Sequence, residues 1–383
     1  MNRDLRLLAL SLFLWGVGEG LFIYLLPVYL TQLGAGAVQV GAILGLAGLA
    51  TTITHIPAGI LADHYGRKTV MILAWLVGTV AVILMFLSPS LRLFVAALVL
   101  YYLTSFVMSP LSSYVTTARG GWTTGRALTT ISASFNAGSV IGPVTGGLLA
   151  ARLGIRPLFG FSAVLFVFST LMLYLLRDQP LEPPHAEGRF RSLFANRTAA
   201  RILLVAFCAM LALSVGWSLT PLFLTEVRGL SVAQLGALGS VFALGIVVLN
   251  LTLGAAPARR GSMLAQGIVA GAFVLLWRGM SMPAYALGYF LAGGMRTARS
   301  LFSAQVERVV RRSHLGLAFG VAETVASAAL IVAPLVAGLL YHVDPASPFI
   351  VSLFLIAGSL ALSLRLLPTA HEAEAIARLD QEI

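Results

Sequence analysis

The sequence predicts an all-α integral membrane protein, with twelve transmembrane helices arranged as two pseudo-symmetric six-helix bundles. Three observations predict it. The chain has 383 residues, of which 58% are hydrophobic and 10% charged, and its mean hydropathy is +0.93. A soluble globular protein carries about 25% charged residues, so this chain cannot clothe itself in charge and needs lipid as its solvent. Its apolar residues fall into twelve runs, each near the ~20 residues that cross a bilayer as a helix. Finally, several short motifs recur about 190–195 residues apart.

In the first half the runs are expected at about 5–31, 38–62, 69–88, 92–116, 128–151 and 157–176. In the second half they are expected at about 200–225, 232–255, 263–281, 283–307, 315–341 and 346–367. Backbone exposed to lipid must satisfy its own hydrogen bonds, so each run is read as a helix and not as an open strand. Residues 177–198 form the only long polar connection and contain Pro180, Pro183 and Pro184. The expected organisation is an N-terminal bundle over 1–176, a linker over 177–198, a C-terminal bundle over 199–368 and a tail over 369–383.

Lys and Arg set the orientation. With both termini inside, five arginines (Arg92, Arg152, Arg156, Arg228 and Arg278) fall outside, Arg296 and Arg299 fall within the membrane, and the remaining eighteen of the 25 Lys and Arg are cytoplasmic. The formal charge of +11 therefore follows the loops and does not call for nucleic acid. The first apolar run exceeds the about 7–15 residues of a signal-peptide core, and no small-residue cleavage site follows it. The single cysteine, Cys208, lies in an apolar run and reads as a small buried residue.

The halves repeat. Residues 27–34 read Pro-Val-Tyr-Leu-Thr-Gln-Leu-Gly and residues 221–228 read Pro-Leu-Phe-Leu-Thr-Glu-Val-Arg. Gln39-Val40-Gly41 matches Gln234-Leu235-Gly236, and Gly142-Pro143 with Gly146-Gly147 matches Ala333-Pro334 with Ala337-Gly338. Parallel repeats of six spans with substrate between them are a transporter design.

Two motifs go further. Residues 59–68 read Gly-Ile-Leu-Ala-Asp-His-Tyr-Gly-Arg-Lys between two apolar runs. This sets Asp63, Arg67 and Lys68 at a membrane surface, with Gly59 permitting close helix approach and Gly66 a tight turn. Residues 138–147 read Gly-Ser-Val-Ile-Gly-Pro-Val-Thr-Gly-Gly. Gly138, Gly142, Gly146 and Gly147 let backbones approach, while Pro143 removes an amide donor and can kink the helix. The first motif resembles the loop between spans two and three of the major facilitator superfamily of transporters. The second resembles a fifth-span pattern found there in exporters, chiefly antiporters, and the resemblance covers essentially the whole chain. It implies the major facilitator fold and a cytoplasmic gate that includes Asp63 and Arg67, with Arg119 and Arg126 as partners. It further implies a monomer in a bacterial inner membrane and the proton gradient as energy source. One departure is plain: many proton-coupled drug exporters of the superfamily carry an arginine about twelve residues before a proline of span four. Here Pro110 is present, but Leu98 through Tyr102 contain no Arg.

Ionisable residues inside a membrane mark pathways or pairs. At 1.5 Å per residue, Glu19 lies about 20 Å into span one, near the midplane, and Arg296 lies near the midplane of span ten. Arg299 is one turn further along the same face, at about the depth of Glu323. Two pairs are expected, Glu19 with Arg296 and Arg299 with Glu323. Glu19 would bind a proton or a cationic group, and Arg296 an anionic group or Glu19 itself. Trp15, Tyr24 and Asn136 are candidate cavity residues, whereas Gln305 near the end of span ten is expected to be solvated.

No phosphate-binding loop, metal-ligand cluster or nucleophile–base arrangement is evident, so neither an enzyme nor a cofactor or metal is expected. The partners expected are a small-molecule substrate and membrane lipid. The function expected is proton-coupled export of small amphipathic or drug-like solutes. The alternatives are an organic-anion or phosphorylated-solute carrier using Arg296 and Arg299, a lipid flippase, or a membrane sensor that binds without transporting.

Overall fold

In the computed structural model the chain is described at residues 2–179, 197–307, 309 and 315–368. At 55–64, 109, 125, 307 and 315–320 the description is of backbone alone. The linker prolines and the tail lie outside these residues.

The described residues form helices and connecting turns, and the expected runs each fall on one long helix or on two short ones in succession. The first six are α1 (Arg3–Gln32), α2 (Ala37–Tyr65), α3 (Arg67–Leu87), α4 (Leu91–Ala118), α5 (Thr124–Leu153) and α6 (Arg156–Tyr174). The next six are α7 (Arg197–Glu226), α8 (Val232–Leu253), α9 (Ala258–Arg278), α10 (residues 282–307), α11 (Leu315–Val343) and α12 (Ser347–Leu366). Among the described residues, ten helices are long and apolar enough to cross a membrane by composition. The two expected crossings outside that count are α5, rich in Ser, Thr and Gly, and α10, which carries Arg296 and Arg299 and is split into Met282–Ala292 and Gly294–Glu307. At 1.5 Å per residue, the 30 residues of α5 extend about 45 Å, enough to cross a bilayer.

The repeat reappears in how the helices break. A short 3₁₀ turn at Ile23–Leu25 interrupts α1 ahead of its expected exit, and α7 is interrupted between Ser218 and Thr220. Similarly, α4 tightens over Thr104–Val107 and α10 breaks at Gly293. At Gly293 the backbone of α8 comes so near that an added Cβ would stand 2.5 Å from the Gly245 carbonyl carbon.

The described structure groups into two compact units. One takes in Met1–Gly36, Leu46–His185 and Leu224–Ala243, the other Ala37–Gly45, Ala186–Phe223 and Leu244–Ile383, so far as these ranges are described. In the first, α1 packs along α5 and α6, and α3 along α6. In the second, α7 packs along α11 and α12, and α9 along α12, which is the same pattern one repeat later. Buried polar contacts follow it too. The Trp75 indole donates to Ser169 Oγ at 2.8 Å, joining α3 to α6. Ser359 Oγ bonds to Gln266 Oε1 at 2.9 Å, joining α12 to α9.

Glycine explains why the start of α8 groups with the first unit and the start of α2 with the second. A Cβ on Gly236 would lie 2.4 Å from the Pro143 carbonyl oxygen, and one on Gly41 would lie 2.2 Å from that of Pro334. These are the repeat-related crossings α8–α5 and α2–α11, each closed until only hydrogen fits between the backbones.

Candidate functional site

The motif glycines of α5 do what small residues at a helix crossing do. A Cβ on Gly138 would stand 2.3 Å from the Phe13 carbonyl oxygen, one on Gly142 2.4 Å from that of Val17, and one on Gly146 2.1 Å from that of Leu21. All three therefore seat α5 directly on the backbone of α1. Gly147 turns to α8, with the Gly236 Cα 2.9 Å from its would-be Cβ. Pro143 sits inside α5. Beside it the Val144 amide donates to Ser240 Oγ at 3.0 Å, so a neighbouring helix supplies an acceptor where proline disturbs the ladder.

This packing fixes the face of α1 that carries Glu19. Glu19 is half-buried and lies beside Tyr101 of α4 and Trp15; the Trp15 and Tyr101 rings lie parallel with centroids 6.4 Å apart. Trp15 is itself only 9% exposed. It stacks on Phe166 with ring centroids 3.8 Å apart and tilts against Trp75 at 4.9 Å. Its ring is one wall of the carboxylate's surroundings. Tyr24, in the 3₁₀ turn of α1, meets Phe242 of α8 edge-on with centroids 5.8 Å apart, and Asn136 is half-buried on α5.

Tyr101 was not among the expected site residues. It falls within the span-four window, Leu98 to Tyr102, that contains no arginine. The only signal in the sequence is the pair of hydroxyls of Tyr101 and Tyr102 in a largely apolar run.

In the second unit, Arg299 and Glu323 come together. Arg299 Nε donates to Glu323 Oε2 at 3.0 Å and Nη2 to the same oxygen, while Nη2 also donates to Ser327 Oγ at 3.0 Å. The Arg299 side chain is 19% exposed and that of Glu323 42%, so this is a partly wet pair with a buried serine at its back. Arg296, one turn away, is exposed on the same face of α10. Glu19 belongs to the first unit and Arg296 to the second.

Gln305 differs from expectation. It is 5% exposed, and Nε2 donates to Ser262 Oγ at 3.2 Å. Its position near a helix end suggested water, but it shares the buried face of α10 with Leu301, Phe302 and Val306, and that face lies against α9.

Of the gate motif, Gly59 and Asp63 lie where only backbone is described, so the Asp63 carboxylate is outside the described residues. Gly66 caps α3 with φ 85° and ψ 143°, a conformation close to glycine-only. Arg67 Nη1 donates to Thr117 Oγ1 at 2.7 Å and to Gln179 Oε1 at 3.3 Å, and Lys68 pairs with Asp178 at 3.3 Å. Arg119 donates to Thr124 Oγ1, and the Arg126 guanidinium lies 4.4 Å from the Trp122 ring centroid. Both are thus engaged along their own loop. Among the described residues no three His, Cys, Asp or Glu side chains gather as metal ligands would.

The family model described as Major Facilitator Superfamily matches residues 8–255 and again 202–380, a double match whose starts lie 194 residues apart. The chain is 29% identical to the multidrug resistance protein MdtG of Salmonella choleraesuis over 244 residues, covering 60% of this chain and 59% of that protein. MdtG of Salmonella typhi matches equally, over 240 residues. Among solved structures, the nucleoside transporter NupG superposes with a TM-score of 0.81 at 16% identity, covering 95% of this chain and 99% of that one. The human organic anion transporter MFSD10 superposes with a TM-score of 0.68 at 20% identity, covering 95% and 100%. At these identities the structural likenesses speak to fold.

Proposed function

Because this chain belongs to the major facilitator superfamily and is therefore a multi-pass membrane transporter and not an enzyme, we propose that it exports small amphipathic or drug-like solutes in exchange for protons, by alternating access. The observation that supports this reading is the half-buried carboxylate of Glu19, set in an apolar span beside Tyr101 and Trp15. A carboxylate at that depth is costly unless it is used. It alternates between a charged form that attracts a cation and a protonated form that releases it. Proton and cationic solute then compete for one group, which is what exchange requires. The multidrug relatives favour drug-like solutes as that cargo.

The test is efflux of ethidium by reconstituted protein under an imposed proton gradient. Wild type transports, and Glu19→Gln binds the dye more weakly and no longer couples its movement to protons. Undiminished proton-driven transport by Glu19→Gln would sink the reading. Tight binding with no flux in wild type would make the protein a sensor.

A second reading rests on Arg296, exposed one turn from Arg299 on the same face of α10. Two guanidinium groups so spaced suit an anionic solute. Thermal stabilisation by organic anions that Arg296→Ala abolishes would favour it, whereas stabilisation by cationic amphiphiles that survives the mutation supports export through Glu19.

A further inference from the structure

Two apolar furrows flank α12, and each ends in an arginine. The first, of about 540 Å³, runs between α9 and α12 over Met263, Leu264, Gly267 and Leu360 to Arg260. The second, of about 420 Å³, runs between α7 and α12 over Leu211, Phe354 and Gly358 to Arg365. Arg259 donates to the Leu364 carbonyl at 2.8 Å, which ties the head of α9 to the tail of α12. Both furrow arginines therefore stand at one end of the helices, and both are exposed.

The glycines in the furrows differ from those of α5. A Cβ on Gly267 or Gly358 would meet nothing within 4 Å, so neither residue is there to let another helix approach. Each hollows out a surface that faces away from the packed core, on helices of membrane-spanning length and hydropathy. Glycine in mid-helix otherwise weakens it relative to alanine.

We propose that each furrow seats an acyl chain of an anionic phospholipid of the surrounding bilayer, with Arg260 and Arg365 binding the headgroup phosphates. An apolar floor as long as several helical turns, ending in one guanidinium at the level where the helices finish, is complementary in shape and charge to such an amphiphile. Guanidinium binds phosphate through paired hydrogen bonds, and basic residues beside a span favour anionic leaflets. A free anion would leave the apolar floor unused.

The experiment is native mass spectrometry of the delipidated full chain, titrated with phosphatidylglycerol and, separately, with phosphatidylcholine of the same acyl chains. Wild type is expected to bind phosphatidylglycerol selectively. Arg260→Gln with Arg365→Gln should lower its apparent affinity roughly five-fold per arginine and erase the selectivity. Gly267→Leu and Gly358→Leu add bulk to the furrows at positions where a Cβ meets nothing within 4 Å. They should not lower the melting temperature of lipid-free protein while reducing the phosphatidylglycerol retained. Equal binding of the two lipids by wild type, or undiminished retention in both leucine variants, overturns the proposal. So does displacement of phosphatidylglycerol by an equal concentration of inorganic phosphate, which would mark Arg260 and Arg365 as a free-phosphate site.

Discussion

The Tyr101 side chain of α4 lies beside the Glu19 carboxylate of α1, near enough for the hydroxyl to serve it as a donor. A hydrogen bond to a charged acceptor contributes about 1.5–3 kcal/mol. Tyr101→Phe removes the hydroxyl and keeps the ring, which packs edge-on against Phe22 with centroids 5.7 Å apart. Proton-driven efflux is expected to fall roughly ten-fold, as about 1.4 kcal/mol would dictate, with little change in melting temperature. Tyr101→Leu, which also loses the ring contacts, should lower both. If Tyr101→Phe transports at the wild-type rate across the pH range, the tyrosine does not act through Glu19.

Arg299 and Glu323 give a different expectation. Both are partly exposed, so their attraction is screened well below that of a buried pair. Arg299→Met and Glu323→Gln are each expected to cost about 1–2 kcal/mol of stability, through charge-assisted hydrogen bonds rather than long-range attraction. A double-mutant cycle read by thermal unfolding checks this. Coupling near zero would mean the contact contributes nothing. Coupling with unimpaired efflux in both single variants would assign the pair to holding α10 against α11 and leave transport to the first unit.

Hydropathy made the spans legible, and in most cases their ends fall within a few residues of expectation: the fourth run, expected at 92–116, is Leu91–Ala118. The repeat was legible because proline and glycine at matched positions mark where helices break or touch. The breaks at Ile23–Leu25 and Gly293 were not, since they depend on how near a neighbouring backbone comes, which no single segment records. Arg299 and Glu323 could be matched in depth because rise per residue is constant along a helix. Tyr101 escaped because a neutral hydroxyl barely alters hydropathy, and tyrosine in a membrane chain is as much at home at an interface as at a site.

Glycine at a crossing and glycine on a free face should respond oppositely to one methyl group. At Gly142 a Cβ would lie 2.4 Å from the Val17 carbonyl oxygen and 2.8 Å from the Gly20 Cα. Both are backbone atoms that cannot swing aside, and overpacking of this kind costs about 1–3 kcal/mol. At Gly271 of α9 the same Cβ meets nothing within 4 Å, and Gly to Ala in a helix is worth about 0.5–1 kcal/mol in the opposite direction. Gly142→Ala should therefore melt lower than wild type and Gly271→Ala slightly higher. Equal melting temperatures for the two would mean that α1 and α5 are not seated as closely as described.

The short connection between α2 and α3 separates backbone from charge. Gly66 holds φ at 85° and ψ at 143°, so Gly66→Ala is expected to cost about 1–3 kcal/mol in strain. It should also displace Arg67 from Thr117 and Gln179, because Arg67 is the first residue of α3. The neighbouring pair Lys68–Asp178 is unlike this: Asp178 is 85% exposed, and exposed ion pairs are typically worth about 0.2–1 kcal/mol or nothing measurable. Asp178→Asn is accordingly expected to leave stability and efflux unchanged at any ionic strength, while Gly66→Ala lowers the melting temperature at all of them. A salt-sensitive loss of efflux in Asp178→Asn would reverse this ranking, and would place the control of this end of the helices in its charges rather than in the glycine turn.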